Sequence, residues 1–215
     1  MVNPNRASKH EQGSVEWLQE RKGRFTGSEI HKLLVKNGFG DGAQTYTEQC
    51  ARQEDKESVQ QGFKSPAMAR GNQLEAAAAD YYAFQTGLEL TEVGFLKFGN
   101  HAGVSSDRLI LSLKKGLEIK CPEEDAHFKI GRIESQEKFA TSKFKNYYAQ
   151  CQFNMLGWGC YQWDFISFFP DDPKFRCFKF TFNADFNFWQ KILLSIHNAV
   201  KNKHNIKEMW QKNLF

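Results

Sequence analysis

Apolar positions in this chain shift from helical spacing to alternation and back, and those shifts predict its elements. The first helical signal is Val15, Trp17 and Leu18, with Ser14 placed to cap it. Arg21-Lys-Gly-Arg-Phe-Thr-Gly breaks the pattern, and a short amphipathic helix is expected over 28–34, capped by Ser28. Residues 37–42 are glycine-rich and read as loop. A helix over 45–61 follows, polar enough for a surface position to be expected. The strongest helix spans 67–87. It is alanine-rich, closes at Gly87, and sets Leu74, Ala78, Tyr81 and Tyr82 on one stripe.

Alternation then takes over. A first strand is expected over 88–98, and the segment 103–122 reads as a hairpin turned by Lys114-Lys115-Gly116. Residues 123–142 are polar with weak helical pattern, which suits a mobile segment or a partner contact. A helix over 144–156 ends at Gly157-Trp-Gly, and an aromatic strand over 161–169 turns at Pro170-Asp-Asp-Pro into a hairpin partner over 174–182. A final amphipathic helix covers 186–209. There is no internal repeat, and residues 1–12 are polar enough to fray.

Composition narrows the class. With 215 residues, 40% of them apolar, the chain suits one domain, 1–215, with a real core. A formal net charge of +4 admits a polyanionic partner without demanding one. The five cysteines, at 50, 121, 151, 160 and 177, form no Cys-x-x-Cys, so neither a disulfide framework nor a zinc site is signalled. Nothing reads as a signal peptide or membrane span, and a cytoplasmic protein (nuclear in a eukaryotic host) with reduced thiols is expected.

The candidate chemistry centres on the hairpin. Residues two apart in a strand share a face, so Glu118 and Lys120 point together, and folding back brings them to Asp107. Two carboxylates that close repel and suit a divalent cation, beside a lysine able to orient water or stabilise phosphate charge. Taken alone, this spacing fits a surface hairpin with scattered charge at least as well. Arg21 near the helix start at Ser28 could hold a phosphate, or could be a solvated arginine beside a capping serine. Arg70 is not three or four residues from Glu75, so that easy helical pair is missing and Glu75 could equally be a surface glutamate.

Taken jointly, five pieces weigh more than any one: Arg21 with Thr26-Gly-Ser28, Gly71-Asn-Gln-Leu-Glu75, Ser105-Ser-Asp107, Glu118-Ile-Lys-Cys-Pro122 and Tyr147-Tyr-Ala-Gln150-Cys-Gln152. In this order, from about Trp17 to Trp163, the chain resembles the phage lambda exonuclease and YqaJ-type viral recombinase family of the PD-(D/E)xK nuclease superfamily. The resemblance implies an α/β fold with a central mixed sheet flanked by helices. It implies a 5′–3′ exodeoxyribonuclease that degrades one strand of linear duplex from a 5′-phosphorylated end, leaving a 3′ overhang for strand annealing. It makes Asp107, Glu118 and the main-chain carbonyl of Ile119 ligands of Mg²⁺, replaceable by Mn²⁺, with Glu75 reaching the metal directly or through water. Lys120 becomes the catalytic lysine, and Gln150 sits at the scissile phosphate or nucleophile. Arg21, Ser28 and Ser105 match a pocket for the terminal 5′-phosphate, and Met68 matches an apolar wedge. The same resemblance implies a homotrimeric ring around duplex DNA and a single-strand annealing protein as partner.

There are departures. Ser106 stands where the superfamily name has proline, which fixes only the backbone before the aspartate. Residues 123–142 do not align, and Lys143 and Lys145 are either phosphate contacts or solvated lysines. An endonuclease of the same fold and an idle DNA-binding protein are the alternatives. The intact Asp107, Glu118 and Lys120 weigh against idleness, and the scattered cysteines weigh against an iron–sulfur relative similar to Cas4.

Overall fold

The structure is a computed structural model in which the described residues are 2–38, 40–57 and 66–214. The chain opens with Ser14, whose hydroxyl accepts the Trp17 N–H at 3.2 Å and starts α1 (Val15–Arg21). Residues expected to fray are fastened. Ser8 exchanges hydrogen bonds with Phe95, and Arg6 donates to the carbonyls of Gly157 and Trp158.

After a turn at Gly23, β1 (Phe25–Thr26) leads into a 3₁₀ stretch, Gly27–Lys32. Ser28 lies inside that stretch instead of capping it. Thr26, still extended, is the N-cap, two residues before the predicted one. The polar helix α2 (Asp41–Glu54) is also less superficial than expected, since it buries Ala43, Tyr46, Thr47, Cys50 and Ala51. Small and half-polar side chains form that stripe, which is why it reads as solvated. The expected end of this helix, 58–61, lies outside the described residues.

Helix α3 (Pro66–Thr86) buries Ala78 and Tyr82 and closes where the Gly87 N–H reaches the Ala83 carbonyl. Only the end of the expected first strand pairs, as β2 (Phe95–Phe98). Residues 88–94 form no strand; their β pairing is the isolated bridge of Thr91 with Leu109. Strand β3 (Ala102–Ser105) lies between β1, parallel, and β2, antiparallel.

The predicted hairpin forms, but its turn lies earlier than Lys114-Lys115-Gly116: residues 111–114 reverse the chain, and Lys115 and Gly116 already pair with Ile110 and Leu109. Strand β4 (Arg108–Ile110) and β5 (Lys115–Lys120) are antiparallel, joined by a 3₁₀ turn that ends on Lys114 in the left-handed region. Strand β6 (Gln162–Phe168) adds in parallel to β5 and β7 (Cys177–Asn183) closes the sheet antiparallel, in the order β4-β5-β6-β7. The mixed sheet is therefore present, with a second, three-stranded sheet beside it.

The polar stretch after β5 folds as α4 (Glu124–Gly131) and α5 (Gln136–Thr141). Tertiary partners compensate for its weak pattern. His127 is buried between the Ser167 hydroxyl and the Phe175 carbonyl, and Phe139 packs edge-on against Phe165, Phe180 and Phe182. Helix α6 (Lys145–Trp158) ends at a left-handed Gly159 and packs on strands of both sheets. Helix α7 (Phe186–Lys212), capped by Asp185, lies against α2 and α6. All five cysteines are free. No helix among the described residues is long and apolar enough to cross a membrane.

Candidate active site

Strand alternation places the central pair. Leu117 and Ile119 pack beneath α3 with Ala78 and Tyr82, so Glu118 and Lys120 point to the opposite face, toward α6. Glu118 is fully buried and bonded to the Lys120 ammonium. The Lys120 ammonium also lies 5.6 Å from the centre of the Tyr147 ring. Asp107, just before β4, accepts the Ile119 N–H at 2.6 Å. A strand residue sends its N–H and C=O to the same edge, so the Ile119 carbonyl faces that side as well.

Glu75 approaches from α3 and pairs with Arg108 at 3.2 Å, an arginine that also reaches Glu92 at 2.9 Å. Three carboxylates thus surround one lysine, and their protonation reflects it. Burial and the Asp107 charge push Glu118 up to about 8. Burial also raises Asp107, against the pull of Lys120 and the Ile119 N–H. Glu75 is raised by burial and by Asp107. For Lys120, burial acts downward, but Glu118 and Asp107 outweigh it and hold the ammonium charged.

The donor set is oxygen only: Asp107, Glu118, the Ile119 carbonyl and Glu75. With all three carboxylates ionised its negative charge would exceed what Lys120 and Arg108 neutralise, the setting that a hard divalent cation fits. Among the described residues no three acidic, histidine or cysteine side chains are gathered as a ready-made cage, since Glu75 is turned to Arg108 and Glu118 to Lys120.

Two contacts here escaped the sequence reading. Asn154 is buried on α6 and donates from Nδ2 to Glu118 Oε2 at 3.1 Å, one turn beyond the buried Gln150. Its Oδ1 is buried without a partner, beside Gly27, where a Cβ would come within 3.2 Å of it. Arg108 is the other. Its adjacency to Asp107 was visible, but its pairing with α3 was not. Ser106, the departure from proline, is buried and its hydroxyl accepts from Trp158 Nε1 at 2.8 Å, a link proline could not make.

Next to this cluster lies a basic cleft of about 790 Å³, lined by Arg21, Lys22, Arg24, Ser28, Lys32 and Lys56 with α2 as its far wall. Arg21 stacks 4.1 Å over Trp17 and donates to the Ser105 hydroxyl at 2.9 Å, two residues before Asp107. Burial lowers the Arg21 guanidinium to about 10, so it stays charged at neutral pH. Arg21 and Ser28 therefore line one cleft and Arg21 reaches Ser105, while Gln150 lies behind it beside Gly27, the residue before Ser28. Met68 lies in the first turn of α3, and its side chain is outside the described residues.

A mixed sheet whose internal strand carries Glu-x-Lys against an aspartate before the neighbouring strand defines a nuclease fold of the PD-(D/E)xK type. Residues 16–160 match the YqaJ-like viral recombinase domain, and the chain belongs to that family. Among solved structures it is similar to an alkaline exonuclease, LHK-Exo, from Laribacter hongkongensis, with a TM-score of 0.78 and 24% identity over 93% of this chain and 97% of that one. The structure of LHK-Exo in complex with dAMP gives 0.79 at the same identity and coverage. A phage related exonuclease from Haemophilus somnus 129PT gives 0.68 at 18% identity, over 86% of this chain and 96% of that one. No curated protein matches the sequence.

Proposed function

We propose that the chain is a divalent-cation-dependent exodeoxyribonuclease that degrades one strand of linear duplex DNA 5′ to 3′ from a phosphorylated end. The product would be a 3′ single strand for recombination by annealing. The observation that carries this reading is the adjacency of two built features: a carboxylate cluster around Lys120, and a half-buried arginine in a basic cleft joined to it through Ser105. Family membership and the exonuclease folds it resembles support it.

Asp107, Glu118 and the Ile119 carbonyl would hold Mg²⁺, with Mn²⁺ able to replace it and Glu75 reaching the site once released from Arg108. Bound there, the cation would supply Lewis acidity to the phosphate and lower the pKa of a water. Lys120 stays protonated between Glu118 and Asp107, so it acts as a fixed positive charge for the attacking water and the phosphate oxygen. It does not act as a base. Asn154 holds the second Glu118 oxygen, leaving the carboxylate one defined orientation. Gln150, on the same α6 face, would contact the scissile phosphate.

Arg21 would bind the terminal 5′-phosphate. Its guanidinium is held rigid by Trp17 and Ser105, and a terminal phosphate carries more charge than a diester. The contact therefore selects an end without reading sequence. A homotrimeric ring and an annealing-protein partner belong to the same reading.

The test uses end-labelled linear duplex with Mg²⁺, comparing 5′-phosphate and 5′-hydroxyl ends for wild type and Arg21→Ala. A charge-assisted contact is worth roughly 1.5–3 kcal/mol, on the order of ten- to a hundredfold in rate. Wild type should prefer phosphate by that factor and Arg21→Ala should lose the preference. Label released first from the 3′ end would overturn the polarity, and cleavage of closed circles would favour an endonuclease.

A further inference from the structure

We infer that Lys203, on the C-terminal helix α7 and beyond the stretch that matches the family, is a positioning residue for the phosphate cleft. The inference rests on the end-recognition reading above and extends it to a residue that touches neither DNA nor the carboxylate cluster.

Lys203 has no solvent exposure at all. Its ammonium donates to the Gly23 carbonyl at 3.3 Å and to Glu54 Oε1 at 3.1 Å, and lies 3.1 Å from His101 Nδ1. Lysine has no acceptor, so the His101 Nδ1 accepts and the imidazole is neutral. Burial and the Lys203 charge both lower the His101 pKa, in keeping with that tautomer. An ammonium buried with full hydrogen bonding is costly to place and costly to disturb.

Each partner leads to the cleft. Gly23 sits in the turn between Arg21 and Arg24, closed by the Arg24 N–H on the Arg21 carbonyl at 3.0 Å. That turn is pressed on α2: Gly23 has φ +69, and a Cβ there would come 2.9 Å from Glu54 Cβ. Its carbonyl is then fixed from the other side by Lys203. His101 precedes β3, its own carbonyl accepts the Phe25 N–H at 2.8 Å, and β3 ends at Ser105, the partner of Arg21. Glu54 ends α2, the cleft's far wall, and also takes Lys207 at 3.1 Å. One ammonium therefore pins the two segments that supply Arg21 and Ser105, and the helix that faces them.

Removing it should loosen the pocket while leaving the carboxylate cluster, which it does not contact. The experiment compares wild type, Lys203→Met and His101→Gln on 5′-phosphorylated and 5′-hydroxyl duplex. It measures rates with Mg²⁺ and equilibrium binding in EDTA. Lys203→Met should keep the hydroxyl-end rate within about twofold and lose most of the phosphate preference in both measurements. His101→Gln, which removes one anchor without stranding a charge, should lose part of it. A purely structural role would lower the melting temperature and leave the ratio of the two ends unchanged; that result overturns the inference. Should Lys203→Met fail to fold, an unchanged ratio in His101→Gln overturns it alone. A wild type without phosphate preference defeats the end-recognition reading itself and this inference with it, an outcome distinct from a preference that survives in the variants.

Discussion

Asp107→Asn should make the cation-free protein more stable and at the same time abolish its response to divalent cations. Three carboxylates, Glu75, Asp107 and Glu118, share a pocket with Lys120 and Arg108. Unit charges 4 Å apart in a partly buried site interact by about 4 kcal/mol. The two cations offset most of the repulsion, leaving roughly 1 kcal/mol to be relieved when one anion is neutralised. For a chain of this size that corresponds to about 2–4 °C in melting temperature. The asparagine oxygen can still accept the Ile119 N–H, so the fold loses little. Wild type in Mn²⁺ at a hundredfold over its dissociation constant should gain about 2.7 kcal/mol, or roughly 5–10 °C. Thermal melts in EDTA and in Mn²⁺, at matched ionic strength, give both numbers. A wild type with no Mn²⁺ response, or an Asp107→Asn protein that responds equally, would refute the ligand assignment.

Other outcomes follow from the same geometry. Lys120→Ala should abolish hydrolysis while duplex binding in EDTA stays within a few fold, because the ammonium acts on the reacting phosphate; filter binding and a label-release assay separate the two. Asn154→Ala should lower kcat about tenfold with the KM for DNA unchanged, the cost of about one hydrogen bond to a charged group, and a raised KM instead would place Asn154 in binding. Asp164 tests the far side of the sheet. It is buried and accepts from Lys115 and Thr181, each at 2.7 Å, and from Tyr82. Burial alone would raise its pKa, yet these donors hold it below the usual aspartate value. A depressed carboxylate stabilises the fold above its unfolded pKa and loses that contribution as pH falls through the folded one. Asp164→Asn should therefore cost about 3 kcal/mol near pH 7, with the gap to wild type narrowing below about pH 4; a gap independent of pH would mean packing, not charge.

What could be read in advance was whatever local chemistry dictates. The existence of the hairpin was legible although its turn falls at 111–114, ahead of Lys115-Gly116, and alternation sends Glu118 and Lys120 to one face. Ser14, Gly87 and Gly159 mark helix ends because a hydroxyl acceptor or a positive φ is needed there. What escaped depends on distant partners. Nothing near Asn154 in sequence announces Glu118, and nothing near Lys203 announces Gly23. The stretch after β5 looks featureless until Phe165, Phe180 and Phe182 close around Phe139. Ser28 misled for a simpler reason: a good capping residue has no effect when the helical turn already starts from Thr26, two residues before it.

The parallel pairing of β5 and β6 has a consequence for how the molecule comes into being. These neighbours are joined through α4, α5 and α6, so the strand that bears Glu118 and Lys120 waits for residues 121–161 to fold back before its inner edge is occupied. Pairings that close long stretches of chain form slowly. The hairpin can appear early, but Asn154 reaches Glu118 only when α6 has docked. During synthesis, β5 leaves the ribosome with an edge of unpaired backbone N–H and C=O groups, and a chain cut short before β6 can offer that edge only to another molecule.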